Sequence, residues 1–562
     1  MTSYIHVFPL VIWETNTAQY FFQKQLILAL LVPSITMANL AHQFMREMTA
    51  PRAWLLLLVP LLLLLARYSM AGFRAKRARK RQKLDHGLPP SPPALPVLGH
   101  LHLLGSLPHV SLGRLAKRHG YDLMLLRLGA TPALVVSSPR AAEAVLRTHD
   151  HVFASRPHSL AAEVVLYGPS NVGFAPYGEY WRQMRKLFTT HLLSAKKVRA
   201  FRLAREEEVS MVMAQIGEAA AAGVAVDVSE LLSSFMNDLA CRAVMGKSFR
   251  SEGRNKLFRD LVADTSPVIS GFNVEEFFPF LARAGVLSKV VRNKSERLRR
   301  RWDELLDRLI LEHESKYACD SSASDPKDAD DFIHVLLSVR EEFGLASEHM
   351  KAILLDVFFA GIDTSSSTLD FTMAELLRAP HVMNKLQAEV RSSVPEGQGF
   401  VSEVNLTDTT YLRAVIKESL RLHPVAPLLV PHFSMASCSM DGYVIPAGVR
   451  VLINVWAIGR DSRFWEDPLE FIPERFVDGG SAAEVNFKGN DFHFLPFGSG
   501  RRMCGGLNYA MAAMELMLAN LVHCFDWEMP EGKERRDIDM SEAFGVVMRR
   551  KEKLLLIPKL RV

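Results

Sequence analysis

Several residues in this chain have types and spacings that could do chemistry. Phe497 to Gly506 reads FGSGRRMCGG: a glycine-rich turn, a single cysteine at Cys504, then helical periodicity from about Gly506 to His523. A thiolate at the start of a helix is stabilised by the unpaired N–H groups and the positive end of the macrodipole. No second cysteine lies near it in sequence, so a zinc or iron–sulfur site would lack ligands there. A one-thiolate ligand site and a small buried hydrophobe both fit the bare residue. Gly361, Asp363 and Thr364 are poor helix formers in the middle of a helix-periodic stretch. Such a violation marks a kink or a polar function, and an acid beside an alcohol is suited to moving protons. Trp181 and Arg185 lie one turn apart in YWRQMRKL, and Glu418 and Arg421 stand at i, i+3 in KESLRLHP. His432 lies in the mostly apolar run LLVPHFS, where a histidine is more often structural than a ligand.

The elements that must position these groups are mostly helices. Helical periodicity runs through 198–215, 295–316, 348–378, 381–393 and 411–422. Strands are expected at 133–138, 449–455 and 553–558. Residues 319–331 read as a polar, acidic loop, and there is no internal repeat. Nothing after about Leu101 looks like a domain boundary. About 470 residues in one unit exceed the usual reach of a single apolar core, which a large buried cofactor would help to explain.

The 562 residues are 49% hydrophobic and 23% charged, a globular composition. Five cysteines cannot make a disulfide framework, which suits a reducing compartment. The formal charge is +6, yet seven basic residues crowd into Arg74 to Lys83, so no nucleic-acid partner is implied. That block follows AWLLLLVPLLLLLA, Ala53 to Ala66, and weaker apolar sequence to Phe73. The order, apolar then basic, predicts a single-pass anchor with its following domain in the cytosol. Met48 reads as a natural start, so residues 1–47 are expected to be an upstream extension. The expected division is 1–47 extension, 48–73 membrane anchor, 74–100 basic stop-transfer and proline-rich hinge, and 101–562 catalytic domain.

Phe497, Gly500, Arg502, Cys504 and Gly506 fill the fixed positions of Phe-x-x-Gly-x-Arg-x-Cys-x-Gly, and here the chain resembles the cytochromes P-450. Glu418 and Arg421 match that family's Glu-x-x-Arg, and PERF, Pro473 to Phe476, its arginine-bearing meander. Ala360 to Thr364 matches its oxygen-activating motif, and Trp181 and Arg185 its Trp-x-x-x-Arg. The likeness runs from about Leu88 to the C-terminus. NVGFAPYGEYWRQMRKL resembles the microsomal plant A-type group. GNDFHFLPF and PHFS resemble grass indole-type monooxygenases.

The resemblance implies a mainly α fold with small β-sheets, the cytochrome P-450 fold, around haem b. Cys504 would be the axial thiolate. Arg502 and Arg185 would each pair with a propionate, Trp181 would contact the same edge, and Phe497 would belong to the ligand loop. Gly500 and Gly506 would let the backbone approach porphyrin and sulfur. His432 stands where many relatives carry a propionate-binding arginine. Gly505, where plant members commonly have proline or alanine, is expected to matter little. Asp363 and Thr364 would deliver protons during oxygen activation, and Glu418, Arg421 and Arg475 would form a buried structural triad. The function implied is a monooxygenase of the endoplasmic reticulum membrane acting on a small hydrophobic specialised metabolite. Its NADPH electrons would come through a separate NADPH-cytochrome reductase, with a cytochrome b-type donor as a second source. A haem-thiolate isomerase or dehydratase is the alternative, although such enzymes tend to lose the Asp-Thr pair. A non-catalytic haem scaffold is a third reading, and the full set of motifs weighs against it. The pocket would be lined by 159–172, 358–360, 425–430 and 543–547, which are mostly apolar.

Overall fold

The computed structural model describes residues 87–246, 254–270, 273–279, 286–319 and 331–561. The expected extension, the anchor, the basic block and the interior of the acidic loop lie outside the described residues. Among the latter, Gly87 onward forms one compact unit. The proline-rich run is part of it. Proline lacks an N–H but keeps its carbonyl, and Pro90 O accepts from Leu125 N at 2.9 Å while Pro92 O lies 2.8 Å from His100 Nε2. Leu88–His100 is therefore docked on the domain, and the folded part starts before the expected Leu101.

Helices dominate. In chain order they include α1 (Pro108–His119), α2 (Leu160–Val165), α3 (Glu179–Leu187), α4 (Arg202–Ala222), α5 (Val228–Met245) and α6 (Arg254–Ser270). Then follow α7 (Val286–Cys319), α8 (Ser347–Gly361), α9 (Asp363–Arg378), α10 (Pro380–Ser393), α11 (Thr410–Leu422) and α12 (Leu507–Cys524). The periodic stretch 348–378 is thus two helices, broken at Ile362. Local sequence explains several ends. Asp227 caps α5 by accepting from Glu230 N at 3.0 Å, and α5 stops where Gly246 turns left-handed. Ser347–Arg378 is long and apolar enough to cross a membrane, but 67% of its apolar window is buried in the protein, which marks a core helix.

The strands are short. β1 (Leu123–Leu128), β2 (Thr131–Val136), β7 (Arg450–Ile453) and β4 (His432–Phe433) make one sheet in the order β1-β2-β7-β4. β1–β2 is an antiparallel hairpin, and β2 runs parallel to β7 with Val135 opposite Leu452. β3 (Val226–Asp227), β8 (Phe525–Glu528) and β11 (Leu555–Leu560) form a second sheet. β5 (Cys438–Met440) pairs with β6 (Tyr443–Ile445), and β9 (Glu542–Ala543) with β10 (Arg549–Arg550). The main core is helical, built from α2–α12, with Phe258 stacked on Phe358 at 4.1 Å; two smaller clusters flank the first sheet.

A buried ion cluster ties α11 to the segment that follows β7. Glu418 receives Arg421 Nε and Nη2 at 2.7 and 2.8 Å, Arg475 Nε at 3.3 Å and the Ile472 N–H at 2.8 Å. Arg421 also donates to the carbonyls of Gly459, Pro468 and Glu470. All three charged side chains are buried, so the partners depend on one another. Glu418→Ala would leave two guanidinium groups without their carboxylate and should cost about 3–5 kcal/mol in denaturant unfolding, against roughly 0.2–0.5 kcal/mol for an exposed i, i+3 pair. A loss below 1 kcal/mol would contradict the buried-triad assignment.

Candidate functional site

The ligand loop closes on itself. Cys504 N donates to Phe497 O at 2.9 Å, just ahead of α12, and Phe497 packs edge-on against Phe487. Gly500 sits at φ +69°, and a Cβ there would lie 2.3 Å from Leu146 O and 2.8 Å from Asp150 Oδ1. Neighbouring protein therefore requires glycine at this position. Gly506 has φ −88°, and a Cβ would sit 3.8 Å from Cys504 Sγ, an ordinary contact. A Cβ at Gly505 would come within 3.0 Å of Arg185 Nη1 and 3.3 Å of Phe188, a tight contact that a small shift of the guanidinium would relieve.

Cys504 has accessible surface, yet surrounding protein raises the pKa of its thiol by desolvation. The Gly506 N–H, the Arg185 charge and the Leu507 N–H oppose the burial and favour thiolate.

Three buried or half-buried guanidinium groups surround this region, and each is held by backbone carbonyls. Arg185 Nη2 donates to Met503 O at 2.6 Å. Arg502 donates to Ala154 O and Ala175 O at 2.6 Å and to Val172 O at 3.3 Å, and lies 4.2 Å over the Trp181 ring. Trp181 Nε1 donates to the same Val172 O at 3.0 Å. Arg156 donates to Gly173 O at 3.1 Å, Val430 O at 2.7 Å and Pro431 O at 3.0 Å. None of the three forms a salt bridge with a carboxylate among the described residues. Burial, then Arg185, pulls the pKa of Arg502 down to about 9; burial, then Arg502, lowers that of Arg156. Buried like charges facing only carbonyls are unfavourable alone and are relieved by a multiply charged anion. The two propionates of haem b are such an anion, and the nearby Cys504 thiol supplies an iron ligand, so the residues present fit that group.

Arg156 was not singled out in the sequence. It stands alone in FASRP with no partner at a recognisable spacing. His432 is buried, its Nδ1 3.0 Å from Phe153 O, and burial, then Arg156, pushes its pKa down to about 3. A carbonyl only accepts, so the proton of the neutral ring sits on Nδ1 and Nε2 is left an acceptor. His432 in this form offers a carboxylate neither charge nor a proton, and the cation on this side is Arg156.

On the other side, α8 and α9 are largely buried, yet Ala360 is exposed and Gly361 and Thr364 are half-buried. These residues open on interior space at the helix break, where Ile362 has φ −83° and ψ −67°. Thr364 Oγ1 stays with its own helix, donating to Ala360 O at 2.6 Å. Asp363 is buried, with Ser266 Oγ of α6 at 3.5 Å from Oδ2. Burial raises its pKa, and the Arg549 charge pulls it back. Asp356, one turn before Ala360 and also not singled out, accepts from Val172 N at 2.5 Å. Val172 thus links the two sides, its N–H on Asp356 and its carbonyl on Trp181 and Arg502. Beside the expected pocket segments, Val172 meets α8 through Asp356, ahead of 358–360, and Met548, just past 543–547, donates its N–H to Val425 O at 2.7 Å.

The family model for Cytochrome P450 matches residues 89–557. The chain is 51% identical over 530 residues to indole-2-monooxygenase of Zea mays, covering 92% of this chain and 98% of that protein. It is 52% identical over 496 residues to indolin-2-one monooxygenase of Zea mays, with 86% and 91% covered. A zebra fish cytochrome P450 structure with progesterone superposes with a TM-score of 0.66 at 25% identity, covering 81% of this chain and 99% of that one.

Asp356 generates a pH-dependent expectation. Burial raises its pKa to about 7, against about 3.9 in an unfolded chain. The folded state therefore binds the extra proton, and this contribution to stability, full below about pH 4, is lost as pH rises through about 7. Asp356→Asn keeps an acceptor for Val172 N and carries no charge. Its stability relative to wild type should rise between pH 4 and 8 by on the order of 4 kcal/mol at most. A variant-minus-wild-type difference that is flat in pH would show that Asp356 does not titrate in this range.

Proposed function

The chain belongs to the cytochrome P450 family of haem-thiolate monooxygenases, and from that premise we propose that it inserts one oxygen atom of O₂ into indole or an oxygenated indole. We infer further that Ala53 to Phe73 anchors it in the endoplasmic reticulum membrane with the domain cytosolic, and that a separate reductase supplies NADPH electrons. The observation that carries the haem-thiolate reading is the set of three carbonyl-held arginines, without acidic partners, around the Cys504 loop. The indole reading is supported by the names of the maize relatives, indole-2-monooxygenase and indolin-2-one monooxygenase, and by the apolar runs AEVVLYGPSNV, VAPLLV and AFGVV.

Haem b, when bound, supplies the iron chemistry that reduces and splits O₂. The chain's own residues do the rest. Arg156, Arg185 and Arg502 would hold the two propionates, and their carbonyl partners fix each guanidinium in advance. The helix N-terminus and Arg185 favour the thiolate form of Cys504. Thr364 Oγ1 gives its proton to Ala360 O, so it would accept from a water. Asp363 is buried enough to take up a proton and near enough to Arg549 to release it, so it can pass protons toward that water.

Expression with a plant reductase tests this reading. The reduced carbon monoxide complex should show the far-red Soret band of thiolate ligation, and Cys504→His should abolish it. Indole or indolin-2-one should shift the resting spectrum, and no shift with any indole compound would refute the substrate assignment. Thr364→Ala should keep these spectra and continue to consume NADPH. Hydroxylated product should fall by roughly 10²–10⁴-fold, less whatever a replacement water recovers, with peroxide in its place. An organic peroxide should bypass much of the defect, and full coupling in the variant would remove Thr364 from the proton path.

A further inference from the structure

We propose that Tyr167 is a positioning residue that latches the segment 160–172 to α7 and α8 and so limits the size of ligand that reaches the interior site. The proposal rests on the reading that this segment lines the pocket. Tyr167 follows α2 with φ +61°, ψ 30°, and Gly168 follows it with φ +57°. The left-handed region is unfavourable for an aromatic residue, so contacts outside the turn must hold it there. The side chain makes those contacts. Tyr167 is 1% exposed, and its hydroxyl donates to Asp303 Oδ1 on α7 at 2.9 Å. Lys351 Nζ on α8 donates to the same oxygen at 2.6 Å and lies 3.1 Å from Asp307. Arg299 covers the ring at 4.4 Å, with Lys351 Nζ at 5.7 Å, a cationic lid over a π face.

Three elements therefore meet at one phenol: the turn after α2, α7 and α8. Lys351 and Asp356 share α8, so the segment is tied to that helix at both ends, through Asp303 and Lys351 at residue 167 and through Asp356 at residue 172. Between these ties Tyr180 OH donates to Ser170 O at 2.9 Å. Removing the phenol oxygen keeps the ring and leaves Asp303 paired with Lys351, so no charge is stranded. What is lost is the bond that holds the strained turn, and the segment should open more often. A small ligand that already enters would not notice; a bulky one would.

Full-length haem-loaded wild type, Tyr167→Phe, Lys351→Met and the double variant are compared by stopped-flow spectroscopy with imidazole and 4-phenylimidazole, whose nitrogens ligate iron. The wild-type azole spectra depend on the haem reading alone and the discrimination between ligands on the latch alone, so failure of one is told from failure of the other. With an unchanged carbon monoxide spectrum, Tyr167→Phe should speed association and dissociation of 4-phenylimidazole about tenfold, the scale of one hydrogen bond to a charged group. Imidazole should change less than twofold. Lys351→Met should shift the same rates in the same direction, and the double variant should exceed neither single by much, because both break one latch. Equal changes for both azoles, no change for either, or strictly additive effects would overturn the proposal.

Discussion

The constraint on which the site depends is a concentration of positive charge that no carboxylate among the described residues pairs with. Arg156, Arg185 and Arg502 are each held by main-chain carbonyls, from Met503, Ala154, Val172, Gly173, Ala175, Val430 and Pro431. A carbonyl orients a guanidinium without cancelling its charge, so the field is left for an anionic cofactor. A carboxylate in any of those places would satisfy the arginine and spoil the site. The same field acts on Cys504, where Arg185 opposes the burial that would keep sulfur protonated.

Holding the arginines by carbonyls makes the site depend on the exact path of the main chain, which explains the surrounding fixtures. Val172 passes one tie to Asp356 and two to Trp181 and Arg502. Gly500 lets the ligand loop touch Leu146, and Gly505 lies against Arg185. The Glu418 cluster secures the chain that leads into the loop. A fault in any of these would move a carbonyl and, with it, a cation.

The interior space is bounded by helices that break or strain where they meet it. α8 and α9 separate at Ile362, placing Ala360 and Thr364 at the opening, and the turn at Tyr167 stays left-handed under its ionic lid. Most of α9 is buried, and its buried face carries polar groups, Ser365 to Thr368, Asp370, Thr372 and Glu375, besides Asp363.

Much was legible in order and type. Composition and periodicity already required a mostly helical, globular chain, because apolar residues at helical spacing must bury one face. Cys504 at a helix start, Asp363 and Thr364 in a poor helical context, and the Glu418–Arg421 spacing were visible because each is a local pattern. The strand at Leu123–Leu128 and the helices Val228–Met245 and Arg254–Ser270 were not singled out, since their partners are distant in sequence and their own periodicity is weak. Arg156 and Asp356 were invisible for the same reason: their roles are contacts with carbonyls and N–H groups that only folding brings near. The chain's order of residues determined which groups could ligate, pair or carry protons. Tertiary structure decided which arginines lack an acid among the described residues, that burial lowers the pKa of His432, that Thr364 bonds within its helix, and that Gly505 lies against Arg185, because burial and main-chain proximity are properties of the packed whole.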